Sequence, residues 1–458
     1  MSDPFRKAQP LEQASNQYEI LGLRDNPFPR EPSLQPGSSD PRANGEIYNE
    51  ELHRDEQATL EKLLIPSPVQ SNPLSIAFLM DHTTRRGRGI GKSAFLKHQR
   101  DRIMSDFGEE SSHRRAVMCA VHVIPPPPPP GCRKFWEFCR TIVEALIEQD
   151  VIASAIWRLR AFSNVIPESV LGEVGGITNL AESIGSDKWL EERNIDVHFS
   201  LNRTVGDILR SVGVRDELAK ILAYTPNSID LRSRVSSSFS DYFWRKDGGR
   251  FLFDDLVKLF MAAQFTRCLL FIDEVEKMAY HQNMTERRSF VESLRYYMFD
   301  ADFANSRNHF YGILLTIHPG VQELLSPHWK AAGLDGISPI TQPEAQETTV
   351  YFGPLDRKMA IPLVKVYLEY YKISKDSRAG IEPFTEDAVT EALVKAGGVP
   401  RPMLRLLYRV VERAAELKVT KIDKKLIEEV YSTPERLEAE AIEEEETLPT
   451  PKVDLKGE

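Results

Sequence analysis

Apolar residues in this chain fall into two kinds of run. The first kind is short and nearly continuous, at 74–80, 116–124, 268–272, 310–316 and 349–352. Runs of this length, apolar on successive positions and bounded by polar residues, predict strands buried on both faces, as in a parallel sheet covered by helices. The second kind repeats at helical spacing, at 49–64, 135–148, 153–162, 205–222, 358–371, 386–396, 401–417 and 423–431. Between these, 251–263 returns the chain to the sheet before the third strand. Strand and helix alternate up to about residue 353 and only helices follow. That order predicts an α/β protein: a three-layer core with a parallel sheet, then a C-terminal helical lid.

Punctuation refines the map. Residues 1–45 contain scattered Pro, Gly, Ser and Asn, and read as a mostly disordered arm. Within it, 21–28 form a small anchoring element whose Leu and Phe side chains could dock on a neighbouring surface. The core then covers 46–353. The stretch from about 150 to 248 is far longer than a connection requires and is expected to be a helical insertion. Residues 354–432 make the lid, and 433–458 an acidic disordered tail with the run Glu443-Glu444-Glu445-Glu446. Six prolines at 125–130 favour a stiff rod of about 19 Å, at about 3.1 Å per residue. The rod serves either as a spacer or as a docking ligand. No internal repeat is visible.

Two motifs carry chemistry. Gly87-Arg88-Gly89-Ile90-Gly91-Lys92-Ser93 lies between the first strand and a helix that starts at Ala94. A glycine-rich loop ending in Gly-Lys-Ser can turn its backbone N–H groups toward phosphates. Its lysine reaches the β- and γ-phosphates and its serine hydroxyl ligates Mg²⁺. Arg86 stands where the usual pattern has its first glycine. The second motif is the run 268–272 followed by Asp273-Glu274. A buried parallel strand delivers those two carboxylates to the edge where α/β sheets bind ligands. Asp273 can hold Mg²⁺ there and Glu274 can polarise a water. The plain alternative is a strand running into a helix N-cap.

Composition narrows the class. The chain has 458 residues, 41% of them hydrophobic, a net charge of −10, and no apolar run near the roughly 20 residues of a membrane span. A soluble, cytoplasmic protein is expected. Cys119, Cys132, Cys139 and Cys268 lack paired C-x-x-C spacing, so a zinc site is not expected. The acidic balance argues against a protein dominated by nucleic-acid binding. One basic cluster runs against it: Arg85, Arg86, Arg88, Lys97, His98, Arg100, Arg102, His113, Arg114 and Arg115. It could track a nucleic-acid backbone without reading sequence, or be a wet helix face beside a nucleotide.

Taken together, these residues resemble an AAA+ ATPase over most of 20–431. Gly89–Ser93 is similar to the Walker A motif of that family and 271–274 to Walker B. Thr316 ends the fourth strand, where the family has its sensor-1 residue. Gly397-Gly398-Val399-Pro400-Arg401 resembles the sensor-2 start of a lid helix, and 350–356 resembles the last strand leading into the lid. The Gly–Asn–Pro–Phe pattern in 22–28 is similar to the opening of initiator-like and transposition- or secretion-associated members. The resemblance implies a P-loop NTPase core and ATP with Mg²⁺ as cofactors. It makes Gly87, Gly89, Ile90, Gly91, Lys92, Ser93 and Ala94 the nucleotide-binding residues, with Ser93 and Asp273 at the metal. Lys92, Glu274, Thr316 and Arg401 become the catalytic set.

Further implications concern partners. The family shares sites between subunits through an arginine finger. Arg287, Arg288, Arg295 and Arg307 are candidates, with Lys330 at the place where the resemblance implies an arginine. Only the acidic tail follows the lid, where initiators carry a DNA-binding domain, so autonomous sequence-specific DNA recognition is not implied. The expectation is an ATP hydrolase, alone or in a homo- or hetero-oligomer. It would act on a protein or nucleoprotein assembly, such as a DNA-mobilisation, replication-loading or defence complex, through the 150–248 insertion. Two rivals stand beside it. One is a slow-turnover nucleotide switch, which the departure at Arg86 favours. The other is a small-molecule kinase, which the Gly397–Arg401 lid start disfavours.

Overall fold

The computed structural model describes residues 16–35, 37–66, 73–81, 89–105, 117–126, 131–174, 179–303, 310–341, 344–373 and 380–432. Gly87, Pro127–Pro130, Arg307, the acidic tail and six residues of the basic cluster (Arg85, Arg86, Arg88, His113, Arg114 and Arg115) lie outside these residues. The chain divides into two compact units. One comprises Asp55–Gly87 and Phe95–Phe352, and the other Met1–Arg54, Arg88–Ala94 and Gly353–Glu458.

The larger unit is α/β. Its strands are β1 (Ile76–Asp81), β2 (Met118–Val123), β3 (Arg267–Ile272), β4 (Tyr311–Ile317) and β5 (Thr349–Phe352). They form one five-stranded, all-parallel sheet in the order β2-β3-β4-β1-β5. Each strand falls within or against an expected apolar run, because burial on both faces leaves no room for polar alternation. Parallel register brings the carboxyl ends together along one edge. Ile272 pairs with Val123 and Leu315, and Met80 with Ile317 and Tyr351.

β2 sits at a sheet edge, where the backbone of His122 faces no further strand. The Gln149 side chain takes that place. Its Oε1 accepts from the His122 N–H at 3.1 Å, and its Nε2 donates to the His122 carbonyl at 2.6 Å. One side-chain amide thus satisfies both backbone groups and closes part of an edge that could otherwise pair with another chain.

The expected insertion is helical throughout its longer elements, including Val151–Phe162, Asn202–Ser211, Asp216–Ala223, Ser228–Ser238 and Asp241–Arg250. The single helical pattern at 205–222 breaks in two at Gly213, whose φ of +87° suits the left-handed end of a helix. The interior of the insertion is shared in part with the strands. Val205, Leu209, Leu222, Leu231 and Val235 belong to the same buried cluster as the strands. A smaller cluster around Trp157, Ile184, Leu190 and Leu201 accompanies it. Beside this cluster lies Arg160, fully buried. It reaches the Ile184 carbonyl at 3.0 Å, Asn202 Oδ1 at 2.8 Å and the Asp187 carboxylate at 2.9 Å. A buried guanidinium needs that many acceptors to offset its desolvation.

The smaller unit is helical. Its main helices are Arg357–Tyr371, Glu386–Lys395, Pro400–Glu416 and Lys424–Tyr431. Proline at the first position of Pro400–Glu416 moves its start one residue ahead of the expected Arg401, since a first-turn N–H needs no intrahelical partner. The N-terminal segment joins this core. Leu21, Leu23, Phe28 and Ile47 are buried with Val364, Leu368, Val389 and Leu407. Phe28 is fully buried, with its ring centroid 5.7 Å from Tyr367 and 5.8 Å from Phe384. Asn26 fastens the segment by donating to the Tyr408 carbonyl at 3.0 Å and to Glu412 Oε1 at 2.7 Å. The Tyr18 hydroxyl also donates to Glu412, at 2.6 Å. Among the described residues, no helix is long and apolar enough to cross a membrane.

Candidate functional site

Three strands of the larger unit converge on Asp273. It follows β3, is almost wholly buried, and is held from both sides. Thr316 on β4 donates its Oγ1–H to Asp273 Oδ1 at 2.9 Å. His122 on β2 lies with Nε2 3.3 Å from Asp273 Oδ2. A carboxylate only accepts, so this contact assigns the proton to Nε2. The Asp273 N–H donates to the Val123 carbonyl at 2.8 Å, which continues the β2–β3 ladder one residue past the strand. Asp81, at the end of β1, is fully buried on the same edge.

Glu274 departs from the strand. Its φ is +49°, a left-handed conformation that costs a non-glycine residue about 1–2 kcal/mol. Local bonds hold it there. Its N–H donates to Asp273 Oδ1 at 2.9 Å, and its carbonyl accepts from the Lys277 N–H at 2.9 Å. Its carboxylate pairs with Lys277, and the side chain is 39% exposed. One carboxylate is therefore locked inside the edge while its neighbour is turned outward. Backbone strain of this kind gathers at functional positions.

The glycine loop and the lid arginine come together in the smaller unit. Gly89 and Gly91 have φ of +84° and +100°, which glycine adopts without a Cβ penalty. The Arg401 N–H, an orphan donor of its helix's first turn, donates to the Gly89 carbonyl at 3.0 Å. A Cβ on Gly89 would lie 2.8 Å from Arg401 Cβ, so only glycine allows this approach. Arg401 Nε donates to the Pro32 carbonyl at 3.1 Å. His53, buried, stands beside Gly91. Ile90 is buried, and Lys92, Ser93 and Ala94 form the first turn of the helix Lys92–Ser105. A helix N-terminus preceded by left-handed glycines presents backbone N–H groups suited to an anion.

Of the expected residues, Asp273, Glu274 and Thr316 thus meet on the sheet edge. Gly89, Ile90, Gly91, Lys92, Ser93, Ala94 and Arg401 belong to the other unit, and Gly87 lies outside the described residues. Sequence reasoning missed His122, Gln149, Asp81 and His53. For His122 the one available signal was a polar residue inside an apolar strand.

Other candidates have structural employment. Arg287 donates to the carbonyls of Ala279 at 3.2 Å and Gln282 at 2.8 Å. Arg288 pairs with Glu292 at 2.8 Å. Arg295 holds Asp300 at 2.9 Å and the Ala332 carbonyl. In the basic cluster, Lys97 and Arg100 pair with Asp101 at 2.6 and 2.7 Å, and Arg102 with Glu61 at 2.6 Å. Burial raises the Asp101 carboxyl, but bonds from Lys97 and Arg100 more than offset this and hold it below its ordinary value. Two carboxylates thus answer three of these cations within the unit.

Among the described residues, no three His, Cys, Asp or Glu side chains gather as a metal cage. One buried carboxylate with a neighbouring hydroxyl still fits Mg²⁺, which prefers oxygen donors and usually takes the rest from phosphate and water. No protein-family model matches the chain, and no curated protein matches it.

Proposed function

We propose that this chain binds Mg-ATP and hydrolyses it, as an AAA+-like ATPase that remodels or regulates a protein or nucleoprotein assembly. The observation that carries the reading is the pair Asp273–Glu274. Asp273 is fixed by Thr316 and His122, and Glu274 is forced outward by a left-handed turn. Phosphoryl transfer needs such positioning and charge more than covalent chemistry.

In this reading Gly89, Ile90, Gly91 and Ala94 follow the phosphates with their backbone, and Lys92 and Arg401 bring positive charge to them. Ser93 and Asp273 would hold Mg²⁺, which when bound neutralises phosphate charge. Thr316 keeps Asp273 Oδ1 aimed, and His122 keeps the other oxygen from turning away. Glu274 orients a water and takes its proton, after giving up its ion pair with Lys277. Loss of the γ-phosphate would remove an anionic partner of Arg401. The helix Pro400–Glu416 is then the element whose position a partner reads. Phe199, Ile229 and Tyr242, exposed at 84, 83 and 71%, all lie in the insertion and favour it as the surface for a protein partner.

A second reading, the slow nucleotide switch, is favoured by one observation. Arg287 and Arg295, two of the arginine-finger candidates, are already committed to backbone carbonyls. ATP hydrolysis measured across protein concentrations, with and without DNA, separates the two. Turnover that rises with concentration or DNA supports the assembling ATPase. Tight binding with negligible turnover throughout supports the switch, and absence of ATP binding overturns both.

A further inference from the structure

A cavity of about 540 Å³ opens in the larger unit, away from Asp273. Its size is in the range of small-ligand pockets. Two π-helical turns contribute to its lining. Phe251–Asp255 contributes Asp254, and Tyr296–Asp300 contributes Tyr296 and Tyr297. Such turns are rare and are frequent at functional sites. Tyr311, the first residue of β4, donates its hydroxyl to the Leu252 carbonyl at 2.8 Å, which ties one turn to the amino end of the sheet. The catalytic candidates sit at the opposite, carboxyl end.

The lining has an ordered aromatic wall. Tyr297 stacks on Phe135 at 5.3 Å and on Phe253 at 5.7 Å, and Tyr296 meets it edge-on at 5.1 Å. Gly249 makes room for this wall, since a Cβ there would lie 2.4 Å from Tyr297 Cζ. The polar part of the lining is unevenly matched. Asp254 is buried and answered by Lys258 at 2.8 Å, and Asp247 is answered by Arg215 at 3.1 Å. Lys246 has no ion-pair partner among the described residues. Arg250 approaches Asp254 only at 3.6 Å and is 53% exposed. These two cations lie one turn apart on the helix Asp241–Arg250, where like charges repel unless an anion sits between them. Asp302, the remaining acid of the lining, repels an anion from its own part of the rim.

We propose that this cavity is a second ligand site, taking a small molecule in which a planar ring is joined to an anionic group. The ring lies against Tyr296 and Tyr297, and the anion is held by Lys246 and Arg250. The proposal rests on the larger unit alone and stands whether or not the chain is an ATPase.

Calorimetric titration of the full chain tests it with four probes: 2-naphthyl phosphate, 2-naphthoate, 2-naphthol and inorganic phosphate. 2-Naphthyl phosphate or 2-naphthoate should bind at one site, and whichever binds tells phosphate from carboxylate. 2-Naphthol and inorganic phosphate, each half of the pattern, should bind at least about tenfold more weakly. Lys246→Gln with Arg250→Gln changes only exposed residues and should weaken binding by about tenfold or more, with far-UV circular dichroism unchanged. Tyr296→Ala should weaken it too, while Asp273→Asn should leave it intact. Failure of both two-part probes to bind overturns the proposal. So does binding that survives the cation and tyrosine variants, or binding that Asp273→Asn abolishes.

Discussion

The sheet edge around Asp273 and the loop around Gly89 are built by opposite means. At the edge, side chains on three adjacent strands hold one another, and only Glu274 stores backbone strain. At the loop, the contacts use backbone: a Gly89 carbonyl, an Arg401 N–H and a Pro32 carbonyl, with glycines at positive φ. The edge is fixed by rotamers inside a packed sheet. The loop is fixed by conformations that a change of partner can redirect. On the proposed reading, the first kind of construction suits the chemical site and the second a sensor of phosphate.

The largest effect that could break this contrast is expected in the smaller unit's core. Phe28→Ala should cost about 3–5 kcal/mol there, as a large aromatic truncated in a closed interior. All five tryptophans and all four cysteines lie in segments of the larger unit. Far-UV circular dichroism should therefore show an early transition that tryptophan fluorescence and thiol labelling do not. Equal shifts in all three signals would mean that the two regions unfold as one.

Gly89→Ala comes next. The left-handed backbone costs about 1–2 kcal/mol, with crowding against Arg401 in addition. ATP affinity should fall by about tenfold or more. Gly353→Ala, at a glycine with open space around it, is the control and should change little. At the edge, Thr316→Val removes the bond to Asp273 Oδ1 without changing shape. About 1–3 kcal/mol of transition-state stabilisation should go, lowering kcat by about 5- to 150-fold with KM nearly unchanged. A rise in KM alone would show that Thr316 serves binding, and would blur the contrast.

The smallest effect is alkaline. Burial first, and then the bond to Glu412, push the Tyr18 phenol above its ordinary value. Below about pH 10 both folded and unfolded chains keep this proton, and the stabilisation is complete. As pH rises further, the unfolded chain loses its proton first, so the smaller unit loses stability. Tyr18→Phe should flatten that alkaline slope slightly in a melting series.

Much of the frame was legible in the residues. All five strands were, because strands buried on both faces must be continuous apolar runs. Asp273 and Thr316 were legible because polar residues at or next to the ends of such strands stand out. His122 was not, since its partner lies 151 residues away in sequence and parallel pairing alone brings them together. The hold of Pro32 on Arg401 spans 369 residues and leaves no local signal. The π-helical turns were invisible too, because their periodicity hardly differs from that of the α-helices they interrupt. The insertion was legible as helical, but not that Val205, Leu209, Leu222 and Val235 share one buried cluster with the strands, since those contacts join residues far apart in sequence.

The role proposed for Glu274 is tested by measuring ATP binding and ATP turnover side by side in the unaltered chain and in Glu274→Gln. The substitution keeps the size and turn of the side chain and removes its charge. Binding should stay within about threefold and turnover should fall by about a hundredfold or more. Turnover equal to that of the unaltered chain, with binding intact, would contradict that role.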